Sequence, residues 1–329
     1  MKVLLNNEIP REEWKELIEK NDFATPFQTP EFFDFYNSVQ HLSAIAIAVE
    51  DKGKLNALAV VTLQKENGIK GYFSKRAIIY GGILIKEETD DALSGLFKAL
   101  DAELKNKAIY IEIRNLNDYS EFRSCFEKAD WQYTPHLNYR VNCADEATVW
   151  SNLNRLRKRQ IKKAQSHNVT LGEAENVNEV HDLYKILQAT YKKIGKPLFN
   201  WDFFGELYRI PFCKVFMVKV NNITIGGHFC LVNRNVIYDW YGCGLDREYS
   251  DYAPSTMIVY SALQYGINHK MKYFDFMGAG TPDKDYGVRD FKAQFGGELV
   301  EYGRYIKILN PLLYKTGEFG LKLLSRYKK

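Results

Sequence analysis

The sequence predicts an α+β fold made of two similar halves, each a mixed β-sheet flanked by helices. Three observations carry this expectation. First, 329 residues with 46% hydrophobic and 26% charged content suit two domains of ordinary size, each with its own core. Second, two stretches share one pattern of elements, β-β-α-β, some 170 residues apart. Third, a strongly basic helical segment lies between the two stretches.

In chain order, the first copy opens with KLNALAVVTLQ and RAIIYGGILI, two strand-like runs. In the following DDALSGLFKALDAELKN, Leu93, Leu96, Phe97 and Leu100 recur at helical spacing, and AIYIEIRN closes the unit as a strand. The linking segment EATVWSNLNRLRKRQIKKAQSHNVTL reads as one helix, with Asp145 at its start and Asn168 at its end. Val149, Leu153, Leu156 and Ala164 mark its buried side, with Arg157 on the margin. Arg155, Lys158, Arg159, Lys162 and Lys163 cover most of the rest, as a solvated face or as a grip on phosphates. The second copy runs NITIGGHFCLVN, NVIYDWYGCGLD, then PSTMIVYSALQYGINHK with Ile258, Ala262, Leu263 and Ile267 at helical spacing, and KYFDFMGA. Two such halves imply an interdomain cleft, a common place for a ligand. The tail LLYKTGEFGLKLLSRYKK reads as an amphipathic basic helix that docks its leucines on its own protein, with peripheral contact to an anionic membrane surface as the alternative.

Composition removes several classes of function. A net charge of +4 is too small for whole-protein polyanion binding, so any basic patch is local. Five scattered cysteines without a CxxC pair argue against a disulfide framework and for a reducing cytoplasm. Six histidines without HExxH spacing offer no metal site. The opening MKVLLNNEIPREEW reads as neither a signal peptide nor a membrane span. GxGxxG and GxxxxGK[ST] loops are missing, which disfavours nicotinamide and P-loop chemistry.

The remaining chemistry lies near the C-terminus. Cys243 sits between glycines but has no basic neighbour to make it a thiolate. Asp283 and Asp285 read as turn formers, and the facing of His228 stays open. Asp275 alternates with Phe274 and Phe276 on a strand near the expected cleft, placed to orient or deprotonate an amine unless its role is structural. In DYGVRDFKAQFGG, Phe291, Phe295 and Val288 share a helical arc and Lys292 sits at its edge. Lys292 then either packs its stem and snorkels to water or reaches toward a ligand.

The stretch YFDFMGAGTPDKDYGVRDFKAQFGGELVEYG resembles the closing motif of the FemABX-like group within the GNAT superfamily. FQTPEFF, RLRKRQIKKAQ and EYSDYAPSTM extend the resemblance over nearly the whole chain. It implies two tandem GNAT-like domains, residues 1–142 and 143–305, with 306–329 returning to the first. With no room for a helical arm between Tyr184 and Trp201, the chain resembles the short, armless type. The resemblance makes Lys292 the catalytic cation, with Asp275 as its companion, and Phe291, Tyr249, Tyr252, Arg289 and Tyr286 the substrate contacts. The basic residues Arg155, Lys158, Arg159, Lys162 and Lys163 become the polyanion contacts.

The implied activity is transfer of an aminoacyl or acyl group to an amine on a cell-envelope precursor, in the cytoplasm or at the inner face of the membrane, without cofactor or metal. Two features depart from the family's cell-wall enzyme: TPEFFDFY after Gln28 has no lysine, and GKPLFNWDFF no placeable arginine, for a nucleotide-linked muropeptide. A [QR]xxGx[GA] turn for pyrophosphate is missing, which favours charged tRNA over acyl-CoA as donor. The rival readings are an acyl-CoA-dependent N-acyltransferase on an amino sugar or lipid precursor, and a non-catalytic glycan or lipid binding protein.

Overall fold

The computed structural model describes residues 1–65, 71, 74–86 and 90–317; most of the expected tail helix, residues 318–329, lies outside them. The chain forms two compact units, Met1–Pro135 joined by the chain from Tyr302 onward, and His136–Glu301.

The first unit contains β1 (Lys2–Leu5), α1 (Arg11–Glu19), α2 (Pro30–Ser38), β2 (Ser43–Asp51), β3 (Lys54–Gln64), β4 (Arg76–Gly81), β5 (Leu84–Ile85), α3 (Asp90–Leu104), β6 (Tyr110–Asn115), α4 (Arg123–Lys128), β7 (Gln132–Thr134) and β15 (Arg304–Ile308). Its sheet runs β1-β2-β3-β4-β6-β15-β7, with β5 beside β3. Leu93, Leu96, Phe97, Leu100 and Leu104 of α3 are buried in one cluster with Ile47, Val49, Ala57, Ala59 and Val61 of β2 and β3. The helical spacing read from the sequence thus marks the face that meets the sheet. Each such side chain contributes about 1.5–3 kcal/mol on burial.

The second unit contains β8 (Leu137–Asn142), α5 (Glu146–Asn152), α6 (Arg155–Ser166), β9 (Thr170–Glu173), α7 (Val177–Lys193), α8 (Trp201–Tyr208), β10 (Cys213–Val220), β11 (Ile223–Asn233), β12 (Val236–Gly244), α9 (Pro254–Asn268), β13 (Tyr273–Asp275), α10 (Gly287–Ala293) and β14 (Glu298–Glu301). Its sheet runs β9-β10-β11-β12-β13-β8-β14. Only residues 194–200 separate α7 from α8, so no helical arm intervenes.

The two sheets have one topology. β2/β3 and β3/β4 are antiparallel and β4/β6 parallel. β10/β11 and β11/β12 are antiparallel and β12/β13 parallel. The helix between the parallel strands is α3 in one unit and α9 in the other. Each sheet then receives a strand from the other half of the chain. β8 follows β7 in sequence but inserts between β13 and β14, and β15 follows β14 but inserts between β6 and β7.

This reciprocal exchange moves the division from the expected 142/143 and 305/306 to 135/136 and 301/302. The linking segment is also two helices, not one. Asn154 caps α6 by accepting from Arg157 N, and Leu153 ends α5. The break shifts the helical phase, so Leu156 is exposed and Arg157, Ile161 and Ala164 turn inward. Among the described residues no helix is long and apolar enough to cross a membrane.

Candidate active site

The site begins with how β13 ends. β12 and β13 pair over three residues only, Val236–Tyr273, Ile237–Phe274 and Tyr238–Asp275. The chain then leaves β12 but stays stitched to β8, with Phe276 N donating to Tyr139 O and Ala279 N to Leu137 O. Asp275 holds this turn. Its side chain is fully buried, and Oδ1 accepts from Asn138 Nδ2 and from Met277 N, both at 2.7 Å. Asn138 Oδ1 in turn accepts from Gly278 N at 2.8 Å. The turn needs this support, because Met277 sits at φ +55°, a left-handed conformation that a side-chain-bearing residue adopts at a cost.

Asp275 is therefore not the amine's base. It has no exposed surface from which to take a substrate proton, and burial pushes its carboxyl up while Asn138, the Met277 N–H, Arg140 and Lys292 pull the other way. Its work is to fix the direction of the carbonyls that follow.

Those carbonyls receive Lys292. Its ammonium donates to Phe276 O at 2.9 Å and to Gly278 O at 2.6 Å, and lies 5.2 Å from the centre of the Phe276 ring. An ammonium has three N–H donors, so one remains uncommitted among the described residues. Lys292 does not snorkel; it turns inward. Burial lowers its pKa below the usual lysine range, opposed by the charges of Asp239 and then Asp275. The apolar arc beneath it is narrower than the sequence implied. Phe295 is fully buried and Phe291 packs on the core, but Val288 is 43% exposed.

Asp239 stands on β12 one residue beyond the last pair with β13. A bulge at this point makes Trp240 an extra residue against β11, since Cys230 pairs with Asp239 and Phe229 with Tyr241. The Asp239 carboxylate lies 3.2 Å from Nδ1 of fully buried His228. Tyr191 on α7 completes this wall. Its hydroxyl is pushed up to about 12, by burial first. His228, Cys230 and Asp239 bring three possible metal ligands within 4.8 Å of one another. Yet burial holds the Cys230 thiol protonated, and His228 Nδ1 already meets Asp239. The same burial argues against Cys243 as a nucleophile.

The other expected contacts divide. Tyr286 packs beside Gly280, where an added Cβ would lie 2.9 Å from its ring. Arg289 spends its guanidinium on Thr281 O and Lys284 O, bracing that loop. Phe291 carries the Arg157 guanidinium over its ring at 4.2 Å, and Arg157 also donates to Thr256 Oγ1 at 2.8 Å. That ring face is occupied by protein. Tyr249 and Tyr252 lie near each other, and Tyr252 lies near His167, the cap residue at the end of α6. No hydrogen bond or ring contact joins them to Lys292 among the described residues.

On α6, Lys158 donates to Ser151 O, Lys163 pairs with Asp251 at 2.7 Å, and Lys162 lies 5.6 Å from the Trp150 ring. Arg155 and Arg159 stand exposed. Asp239 is the residue that sequence reasoning missed. The available signal was a carboxylate alone inside the apolar and aromatic strand VIYDWYG.

Residues 151–292 match the family described as Acetyltransferase (GNAT) domain. The chain is 30% identical over 113 residues to the lipid II:glycine glycyltransferase of Staphylococcus haemolyticus, a match covering 33% of this chain and 27% of that relative. It thus spans about a quarter of that relative's length. The crystal structure of FemX superposes with a TM-score of 0.74 at 15% identity, covering 96% of this chain and 99% of that one. A tandem GNAT protein from the clavulanic acid biosynthesis pathway superposes with a TM-score of 0.59 at 10% identity, covering 94% and 99%. The fold is that of two tandem GNAT-like domains.

Proposed function

We propose that this FemABX-like chain, with its GNAT domain over residues 151–292, is an acyltransferase that joins an activated aminoacyl group to an amine of a cell-envelope precursor. The observation that carries this reading is Lys292. A half-buried ammonium, fixed by two carbonyls and retaining one N–H, is a preorganised donor for an oxygen that becomes negative during reaction.

In the step itself, the acceptor's neutral amine attacks the ester carbonyl of the donor. A C–N bond forms, and the carbonyl oxygen takes the negative charge that Lys292 stabilises. Collapse breaks the C–O bond, and the released hydroxyl takes a proton that the attacking nitrogen gives up.

The start of α9 supports charged tRNA over acyl-CoA. A pyrophosphate needs free N–H groups at a helix start. Here Pro254 has none, Ser255 N donates to Asp246 Oδ1 at 3.0 Å, and Thr256 N and Met257 N donate to Ala253 O. Asp246 also places a negative charge where a pyrophosphate would need a positive one. The exposed Arg155 and Arg159 provide local positive charge suited to an RNA backbone. The acceptor's place in the cell envelope would bring the protein to the inner face of the membrane.

Incubation with aminoacylated tRNA and, separately, with acyl-CoA, read by mass spectrometry, tests the reading. Discharge of the tRNA is expected. Discharge of acyl-CoA alone would overturn the choice of donor, and discharge of neither would overturn the reading as a whole.

A further inference from the structure

The proposed transfer needs a group to take a proton, because an amine acceptor arrives as an ammonium at neutral pH. With Asp275 sealed inside, Asp239 is the carboxylate in the right place. It sits where β12 parts from β13, and its charge favours the ammonium form of Lys292. Its side chain keeps 18% exposure. Oδ1 faces His228, and Oδ2 has no hydrogen-bond partner among the described residues.

His228 is set up to hold this carboxylate and nothing else. It is fully buried, and its Nε2 meets no hydrogen-bond partner. The ring centre lies 5.3 Å from Phe216 and 6.2 Å from Phe274. A carboxylate can only accept, so Nδ1 carries the proton and Nε2 stays bare against the apolar wall. Gly242 keeps the space open. A Cβ there would come 3.1 Å from the His228 Cβ and 3.7 Å from Asp239 Oδ1.

Resting on the acyltransfer reading, we infer that Asp239 is the general base that deprotonates the acceptor ammonium, and that buried His228 is the positioning residue that aims it. The ammonium gives one proton to Asp239 Oδ2, and the freed amine attacks. The nitrogen's second proton goes to the leaving oxygen, and Asp239 then returns its own to solvent. One proton is released per amide bond formed. His228 and Cys230 from β11 lie beside Asp239, and Tyr191 from α7 and Lys292 from α10 are close enough to feel its charge.

The test compares two small acceptors with aminoacylated bulk tRNA as donor. Glycinamide is mostly protonated at neutral pH and needs a base; hydroxylamine is mostly unprotonated and does not. Asp239→Asn should lower kcat with glycinamide about 10²–10⁴-fold, with KM for the tRNA unchanged and the acid limb of the pH profile gone. With hydroxylamine it should stay within a few-fold of wild type. His228→Phe should lose most of the glycinamide activity, whereas His228→Asn, whose side-chain N–H can stand in for Nδ1–H, should recover much of it.

An Asp239→Asn protein with unchanged glycinamide kinetics and pH profile overturns the inference while leaving the acyltransfer reading intact. So does an equal loss with both acceptors, since that marks a structural role. A wild-type protein that discharges tRNA to neither acceptor overturns both.

Discussion

The two units share one ladder and end it differently. In the first, β4 and β6 stay paired for six residues, from Arg76–Tyr110 to Gly81–Asn115. In the second, β12 and β13 part after three. Counting from the first pair, Glu112 and Asp275 occupy the same rung. Glu112 is clamped by Arg114 at 2.8 Å and Arg304 at 2.6 Å. Burial raises its pKa, but the two arginines outweigh this and hold its carboxyl below the usual range. Asp275 has Arg140 only at 3.6 Å, and burial pushes it up. One unit carries its ladder past this rung and ties the carboxylate to two arginines. The other opens it, uses the carboxylate to brace a turn, and admits Lys292. The same frame thus holds a glutamate between two arginines in one unit and an inward-turned lysine in the other.

The largest expected effects come from the shared rung. Asp275→Ala removes the buried acceptor for Asn138 and Met277 and the carboxylate 3.6 Å from Arg140. It should cost about 3–5 kcal/mol in denaturant unfolding and abolish transfer, because the carbonyls that seat Lys292 lose their brace. Glu112→Ala should cost a similar amount by the same logic, yet leave the transfer rate of the folded fraction within a few-fold. Equal losses of activity in both would break the comparison.

Titration sharpens the contrast next. Glu112 has a depressed pKa in the folded state, so its stabilisation is present above the unfolded value of about 4.3 and is lost as pH falls through the folded one. Glu112→Gln should therefore flatten the acid end of the stability curve. In the second unit Lys292 is depressed by burial, so the alkaline limb of transfer should lie below the ordinary lysine value of about 10.4. Lys292→Arg should remove that limb along with part of the rate, because a planar fork does not replace a point charge.

The smallest effect belongs to α6. If Arg155 and Arg159 each neutralise one phosphate, replacing both with Gln should reduce the slope of log affinity for tRNA against log salt by about 1.4–1.8. An unchanged slope would leave them as a solvated face.

Much of the frame was legible before any coordinates. Leu93, Leu96, Phe97 and Leu100 mark α3, and the β-β-α-β repeat marks the strands and helix that recur in both units. What escaped is set by tertiary structure. Nothing in LNYRVN or RYIKI says to which sheet it pairs, so the exchange of β8 and β15, and with it the domain boundary, was invisible. Asn154 reads alike inside a helix and at its cap, so the break between α5 and α6 went unseen. Alternation set Asp275 against Phe274 and Phe276 but could not reveal that both faces of β13 are buried. Asp239 matters only because β12 and β13 part beside it. Lys292 stood out at the edge of its helical arc and took its role from the resemblance, and its two carbonyl partners explain its inward turn.

The central claim is that the Lys292 ammonium stabilises the charge that forms during transfer. A single-turnover measurement of aminoacyl transfer from tRNA, with wild type and Lys292→Met compared at equal folded fraction, tests it most directly. The account predicts a fall of about 10²–10³ in rate, the loss expected when one preorganised donor is removed. A Lys292→Met protein that transfers at the wild-type rate, with an unchanged pH profile, would contradict it.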